Sequence, residues 1–327
     1  MSSLILDIQN LSLSFHTNGS EVSILKNVKL QITSGEIVGL VGESGSGKSV
    51  TALAISKLLP EKITQFTSGS IDFDGNDILK SDESSVAELR GKHIGFVFQE
   101  PMTALNPTMT IGNQLFHVIR RHSNLSKSEA RARVRKSLEE VLISKPEIVE
   151  NQYPFQLSGG MRQRVVIAMA MSANPALLIA DEPTTALDVT VQAEILNLIE
   201  RLAKNHGTAV LLISHDLGVI AKTCSRVTVL YAGEVVESGN VVDVLRNPRH
   251  PYTQALIRSL PDIAVRERSL ETIMGEFPDL RDRPSGCIYA PRCPKRFGKC
   301  SQSPFLQNIN ASHAVACWAE PSTGSNT

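Results

Sequence analysis

The sequence predicts an α/β protein with a mostly parallel, buried sheet, a β-rich start and a small cysteine-bearing C-terminal module. Three observations predict it. Apolar, strand-like runs alternate with helix-spaced segments over residues 36–59 and again over 175–214, the rhythm of strands joined by crossover helices. The chain has 327 residues, more than the roughly 100–200 of one ordinary domain. Four of its five cysteines lie after residue 286, where Pro, Arg and Ser replace any periodicity. A boundary is therefore expected near residue 262, separating 1–262 from 263–327.

Taken in order, LILDIQNLSLSF and ILKNVKLQI read as short strands with partial alternation. EIVGLV (36–41) is an apolar strand that runs into glycines, and SVTALAISKLL (49–59) has helical spacing. Ser126 and Glu129 form a capping box ahead of a helix expected over about 127–143. Beyond Pro175 a strand (176–180), a helix (190 to about 205, stopped by Gly207) and a strand (208–214) follow. VTVLYAGEVVESG then predicts a hairpin turning at Ala232-Gly233. EPSTGSNT at the end reads as a frayed tail.

Hydrophobic residues make up 42% and charged residues 20%, the usage of an ordinary globular protein, which excludes disordered, collagenous and disulfide-dense classes. Lys+Arg 33 balance Asp+Glu 33, so no global field draws the chain to nucleic acid or anionic lipid, and no nucleic-acid partner is expected. No run reaches the ~18 apolar residues that span a bilayer, and the N-terminus has no signal-peptide pattern, so the expected compartment is the cytosol.

Gly42-Glu43-Ser44-Gly45-Ser46-Gly47-Lys48-Ser49 fits G-x-x-x-x-G-K-[ST] and stands between an apolar strand and a helix, where the mechanism needs it. The glycines let backbone N–H groups turn toward an anion, Lys48 reaches terminal phosphates, and the Ser49 hydroxyl can ligate Mg²⁺. LLIADE (177–182) is an apolar strand ending in two carboxylates. Asp181 can hold the metal and Glu182 can polarise a water for attack on a γ-phosphate. Read alone, such a pair is a solvated turn or a helix cap; with the phosphate loop upstream it is a catalytic pair.

Leu157-Ser158-Gly159-Gly160-Met161, followed by Arg162, Gln163 and Arg164, resembles the LSGGQ signature of ABC ATPases, with Met161 in place of Gln. Other motifs follow the same resemblance: Gln99 in FVFQEP the Q-loop, Thr185 to Asp188 the D-loop, His215 in LLISHD the switch histidine, and Phe15 the aromatic that stacks on adenine. The resemblance covers residues 4 to about 260. It implies a phosphate-loop ATPase core with a β-rich flank and a helical subdomain at about 100–174, ATP and Mg²⁺ as ligands, and Gln99 joining Ser49 and Asp181 around the metal. Ser158 and Gly159, at a helix N-terminus, form a second anion site that one chain cannot close on its own phosphate loop, so a dimer that sandwiches ATP is expected.

NPRHPYTQAL (247–256) and the stretch from Arg283 to Cys293, with Cys300 and Cys317 beyond, resemble the tail of bacterial dipeptide, oligopeptide and nickel importer ATPases. That resemblance implies a second, non-identical ATPase subunit, two permease subunits, an extracytoplasmic solute-binding protein, and a peripheral place on the cytoplasmic face of the inner membrane. Peptides are the expected solute, with nickel complexes, opines and glycosides as alternatives; a soluble ABC ATPase acting on ribosomes or DNA repair is the alternative class. Cys287, Cys293, Cys300 and Cys317, spaced C-x5-C-x6-C-x16-C, leave three uses open in a reducing compartment: a [4Fe–4S] cluster, Zn²⁺, or inert burial. The resemblance orders the cluster first.

Overall fold

The structure is a computed structural model that describes residues 3–17, 19–185, 187–259 and 273–319. The boundary expected near residue 262 and the tail from residue 320 lie outside the described residues. In chain order the elements are strands β1 (Leu4–Thr17), β2 (Ser20–Thr33) and β3 (Ile37–Val41), helix α1 (Lys48–Ile55), strands β4 (Thr64–Phe73) and β5 (Asn76–Asp77), helix α2 (Glu83–Leu89) and strand β6 (Ile94–Val97). Helices α3 (Pro101–Ala104), α4 (Ile111–His122), α5 (Lys127–Glu140), α6 (Pro146–Val149) and α7 (Gly159–Met171) come next. Then come β7 (Leu177–Asp181), α8 (Val189–His206), β8 (Ala209–Ser214), α9 (Leu217–Thr223), β9 (Arg226–Tyr231), β10 (Glu234–Asn240), α10 (Val241–Arg246), α11 (Pro251–Arg258), β11 (Gln307–Asn310) and β12 (His313–Val315).

Two compact units interleave along the chain. The first comprises Met1–Ile5, Ile32–Ile37 and Lys80–Ile213. Its strands β6, β7 and β8 are parallel, in register from Ile94↔Leu177 to Val97↔Ala180 and from Leu177↔Ala209 to Asp181↔Ile213. β7 and β8 are buried throughout, which is why they read as unbroken apolar runs and not as alternating ones. Helices α4, α5 and α7 pack on one another, with Leu115, Ile119, Val134, Leu138 and Val165 buried. The capping box forms as the sequence predicts: Ser126 Oγ accepts from the Glu129 N–H and Glu129 Oε2 from the Ser126 N–H. α8 begins at the Asp188 cap and stops at Gly207, whose φ of 66° lets the chain leave the helix.

The second unit comprises Leu6–Gln31, Val38–Leu79 and Ser214–Thr327. One sheet runs in the order β2-β1-β4-β5, the β-rich flank read from the sequence. In the other, β3 pairs parallel to β9, β9 and β10 form the expected hairpin, and β12 and β11 extend it antiparallel. The hairpin turns on Ala232 (φ 46°) and Gly233 (φ 80°), the two left-handed residues of a type I′ turn. A Cβ at Gly233 would stand 1.9 Å from the Ile24 carbonyl oxygen, so the turn tolerates only glycine. Described residues 273–319, aperiodic in sequence, are built of 3₁₀ turns at Leu280–Asp282, Ala290–Arg292 and Gly298–Ser301 plus the β11–β12 pair. They cluster with this second unit.

The attachment of β12 centres on Glu237, which is fully buried. Its carboxylate accepts the Arg249 N–H (2.7 Å) and the His250 N–H (2.9 Å) and pairs with His313 Nε2 (2.7 Å). His250 Nδ1 in turn accepts the Tyr252 N–H at 3.1 Å and so caps α11 with an unprotonated nitrogen. Burial pushes the His250 pKa down to about 4, against the opposing pull of Glu237. A depressed pKa stabilises the fold fully above the ordinary value near 6.5, and that contribution is lost as pH falls toward 4. Between pH 7 and pH 5 this single group should remove about 2 kcal/mol. Denaturant unfolding at the two pH values checks it: His250→Asn, which can keep the cap without titrating, should lose less on acidification than the parent protein. An equal loss contradicts the assignment.

Candidate nucleotide site

The second unit holds the phosphate loop. Strand β3 ends at Val41, level with Val229 of its parallel neighbour β9, and the chain turns at once into residues 42–47. A Cβ at Gly42 would stand 2.1 Å from the Leu230 carbonyl oxygen, and Gly47, at φ 102°, enters α1 from the left-handed region. No side chain caps α1. The N–H groups of its first turn are therefore available to an anion at the positive end of the helix. Lys48 is almost wholly buried, with Nζ donating to the carbonyl oxygens of Gly42 (2.9 Å) and Glu43 (3.0 Å). The ammonium thus lies folded over the loop. Ser46 is buried, its Oγ has no hydrogen-bond partner among the described residues, and its carbonyl accepts the Gly233 N–H at 2.8 Å. Gly45, Ser44 and Ser49 complete the segment predicted from the sequence.

The first unit holds the carboxylates. Because β6 and β7 run parallel in register, the residues just past their ends meet: Gln99 Nε2 donates to Glu182 Oε2 at 3.1 Å. Thr185 Oγ1 donates to the same oxygen at 3.0 Å. Glu182 sits at φ 46°, an uncommon conformation for a residue with a Cβ, and its N–H donates to the Ile213 carbonyl at 3.0 Å. Asp181, the last residue of β7, is 6% exposed. Thr185 was legible only as part of the D-loop segment; its hydroxyl grip on Glu182 needed coordinates.

The signature lies in the first unit too. Ser158 is the N-cap of α7, accepting the Met161 N–H at 3.3 Å. Leu157 is buried, while Gly159 and Gly160 open the helix where it packs on α8: a Cβ at Gly160 would be 2.8 Å from Val191 Cγ1. Asp188 caps α8 through the Val191 N–H at 3.0 Å; Ala186, inside the D-loop segment, lies outside the described residues. His215, in the second unit, is exposed immediately after β8. Phe15 lies half-buried in β1 opposite Thr64.

The four C-terminal cysteines share one neighbourhood. Cys287 opens the turn that leads to Cys293, and its N–H donates to the Cys300 carbonyl at 3.0 Å; Cys317 follows β12. Burial, and then the nearby thiols of Cys300, Cys317 and Cys293, push the Cys287 pKa up to about 11. Among the described residues no three His, Cys, Asp or Glu converge so as to hold a metal ion. Neither the zinc nor the [4Fe–4S] use expected from the sequence is therefore supported by the arrangement of the described side chains.

Comparison with known proteins places this geometry. The ABC transporter family matches residues 25–185, and the family described as oligopeptide/dipeptide transporter, C-terminal region, matches residues 236–300. A relative in Escherichia coli K12, named Probable D,D-dipeptide transport ATP-binding protein DdpD, is 49% identical over 97% of each chain. The oligopeptide transport ATP-binding protein OppD of Bacillus subtilis is 46% identical over 96% of this chain and 88% of its own. Among solved structures, a dimeric ATP-binding cassette in a post-hydrolysis state with ADP and Pi is similar at TM-score 0.65 and 31% identity, covering 72% of this chain and 99% of that one. The chain belongs to the ABC transporter family, as an ATP-hydrolysing, ATP-binding subunit that carries the oligopeptide/dipeptide transporter C-terminal region.

Proposed function

We propose that the chain is the motor subunit of a peptide importer. It binds MgATP on residues 42–49 and hydrolyses it with Glu182 as the general base. The observation that carries the catalytic assignment is the Gln99–Thr185–Glu182 contact, which aims a strained, hydrogen-bonded carboxylate from the end of a buried strand. The backbone N–H groups of the loop and α1 bind the β- and γ-phosphates, and Lys48 exchanges its two carbonyl partners for phosphate oxygens. Ser49, Asp181 and Gln99 would hold Mg²⁺, which would supply charge neutralisation on the transferring phosphoryl group. Glu182 accepts a proton from the attacking water, His215 contacts the γ-phosphate, and Phe15 offers a ring face to adenine. Leu157 to Met161, led by the Ser158 cap, receive the phosphate of the facing subunit, with Asp188 beside them.

Peptide is the solute favoured by the C-terminal region match and by the names of the relatives, ahead of nickel complexes, opines or glycosides. The same match favours an importer over an ATPase of ribosomes or DNA repair. Such an importer assembles two permease subunits, a second, non-identical ATPase subunit and an extracytoplasmic solute-binding protein. The chain would sit peripherally on the cytoplasmic face of the inner membrane, in keeping with the finding that no helix among the described residues is long and apolar enough to cross a membrane. On the resemblance of the tail alone, Cys287, Cys293, Cys300 and Cys317 would hold a [4Fe–4S] cluster as a structural staple for an aperiodic segment.

Three outcomes test these assignments. Glu182→Gln lowers turnover in the assembled complex by roughly 10²–10⁴-fold while MgATP still binds, whereas Lys48→Ala weakens binding itself; equal nucleotide affinity in the two variants contradicts the roles. Ser158→Arg leaves each subunit able to bind ATP yet blocks the closed dimer, read by size-exclusion chromatography with MgATP in the Glu182→Gln background. A closed dimer in that double variant removes the signature site from the account. Iron and acid-labile sulfide after anaerobic purification should each approach about four per chain, and their absence overturns the cluster.

A further inference from the structure

The phosphate loop is held from outside by the C-terminal region. Glu43, its second residue, carries a carboxylate inside a segment built to attract polyphosphate. Arg292 meets that carboxylate: Nη1 lies 3.0 Å from Oε1 and 3.1 Å from Oε2, and the guanidinium side chain is 5% exposed. The arginine is itself fixed, with Nε donating to the Met274 carbonyl (3.0 Å), Nη2 to the Ile273 carbonyl (3.2 Å) and Nη1 to the Tyr231 hydroxyl (3.3 Å). The Glu43 N–H donates to the Tyr252 hydroxyl at 2.8 Å, so the same residue is gripped by backbone and side chain. Phe277 Cε1 would lie 3.8 Å from a Cβ at Gly45, and its ring packs on Tyr231 with centroids 5.3 Å apart. Farther along, Arg283 donates to the Ala232 carbonyl and to Glu234, securing the hairpin whose Gly233 N–H holds the Ser46 carbonyl.

We infer that Arg292 is a positioning residue of the nucleotide site: it neutralises Glu43 and fixes the first turn of the phosphate loop, so that ATP affinity depends on the C-terminal region. Two consequences of removing the guanidinium argue for this. An unpaired carboxylate would face the site of the triphosphate, where like charges repel. The loop would also lose the contact that, with Tyr252, defines its entry from β3. The inference rests on the reading that residues 42–49 bind ATP.

The test measures MgATP and ADP affinity of the full chain, and KM and kcat of the assembled complex, for Arg292→Gln, Arg292→Lys, Arg292→Gln with Glu43→Gln, and Lys48→Ala. Arg292→Gln should raise Kd and KM roughly tenfold, with kcat falling much less. Adding Glu43→Gln should recover most of that affinity, because the stranded carboxylate is gone. A pair that served the fold alone would give no such recovery and no split between KM and kcat. Wild-type affinity in Arg292→Gln, or a double variant as weak as the single one, overturns the inference. Should Arg292→Gln lose its cooperative thermal transition, Arg292→Lys decides: it keeps the charge but loses the Nε and Nη2 bonds to the Met274 and Ile273 carbonyls that fix the guanidinium, and should weaken ATP roughly threefold, whereas no change overturns the inference. If Lys48→Ala binds ATP like the parent chain, it is the phosphate-loop reading that fails.

Discussion

To bind phosphate as proposed, the backbone of residues 42–47 would turn its N–H groups toward one point while passing close to a neighbouring strand, and contacts from several parts of the second unit bear on that loop. The strand β3 delivers the loop beside β9, where Gly42 comes so near the Leu230 carbonyl that a side chain has no room. The left-handed Gly47 then sends the chain into α1, whose uncapped first turn completes the anion site. The hairpin tip at Ala232-Gly233 supports the loop from one side through Ser46, and the C-terminal region supports it from another through Glu43.

The carboxylate proposed as catalytic obeys a different constraint. Glu182 stands one residue beyond a buried parallel strand, in a backbone conformation that costs energy, and is kept there by its N–H bond to Ile213 and by Gln99 and Thr185. Register explains why these residues can meet: Val97 at the end of β6 pairs with Ala180, next to last in β7, so Gln99 and Glu182 just beyond the two ends lie together. If Glu182 is the base, as proposed, the direct bond from the Gln99 amide would let a change at residue 99 alter the position of the group that activates water. That geometry suits an ATPase whose turnover answers to a distant event.

Local physics made much of this legible in the sequence. The phosphate loop announced itself through glycines between a strand and a helix, α5 through its capping box, α8 through Gly207, and the hairpin through Ala232-Gly233. The strand β7 was readable because parallel strands buried on both faces lose their alternation. What was not legible depends on contacts between residues far apart in the chain. Tyr252 and Arg292 stood out only as parts of a tail motif, since nothing in their neighbourhoods says that both reach Glu43. β11 is short and polar and β12 spans only three residues, and they are placed with the buried Glu237–His313 pair and not by a pattern of their own. The wide cysteine spacing left cluster, zinc and inert burial open, and the described side chains form no group that could hold a metal ion.

The central claim is that ATP hydrolysed at Glu182 drives peptide across a membrane. Its most direct measurement follows phosphate release and accumulation of a labelled peptide together, in vesicles containing the assembled importer with its solute-binding protein and MgATP on the side of this subunit. The account predicts that both rise with peptide, that both stop without ATP, and that both stop when this subunit carries Glu182→Gln. Phosphate release that ignores peptide, with no peptide gained inside, would contradict it.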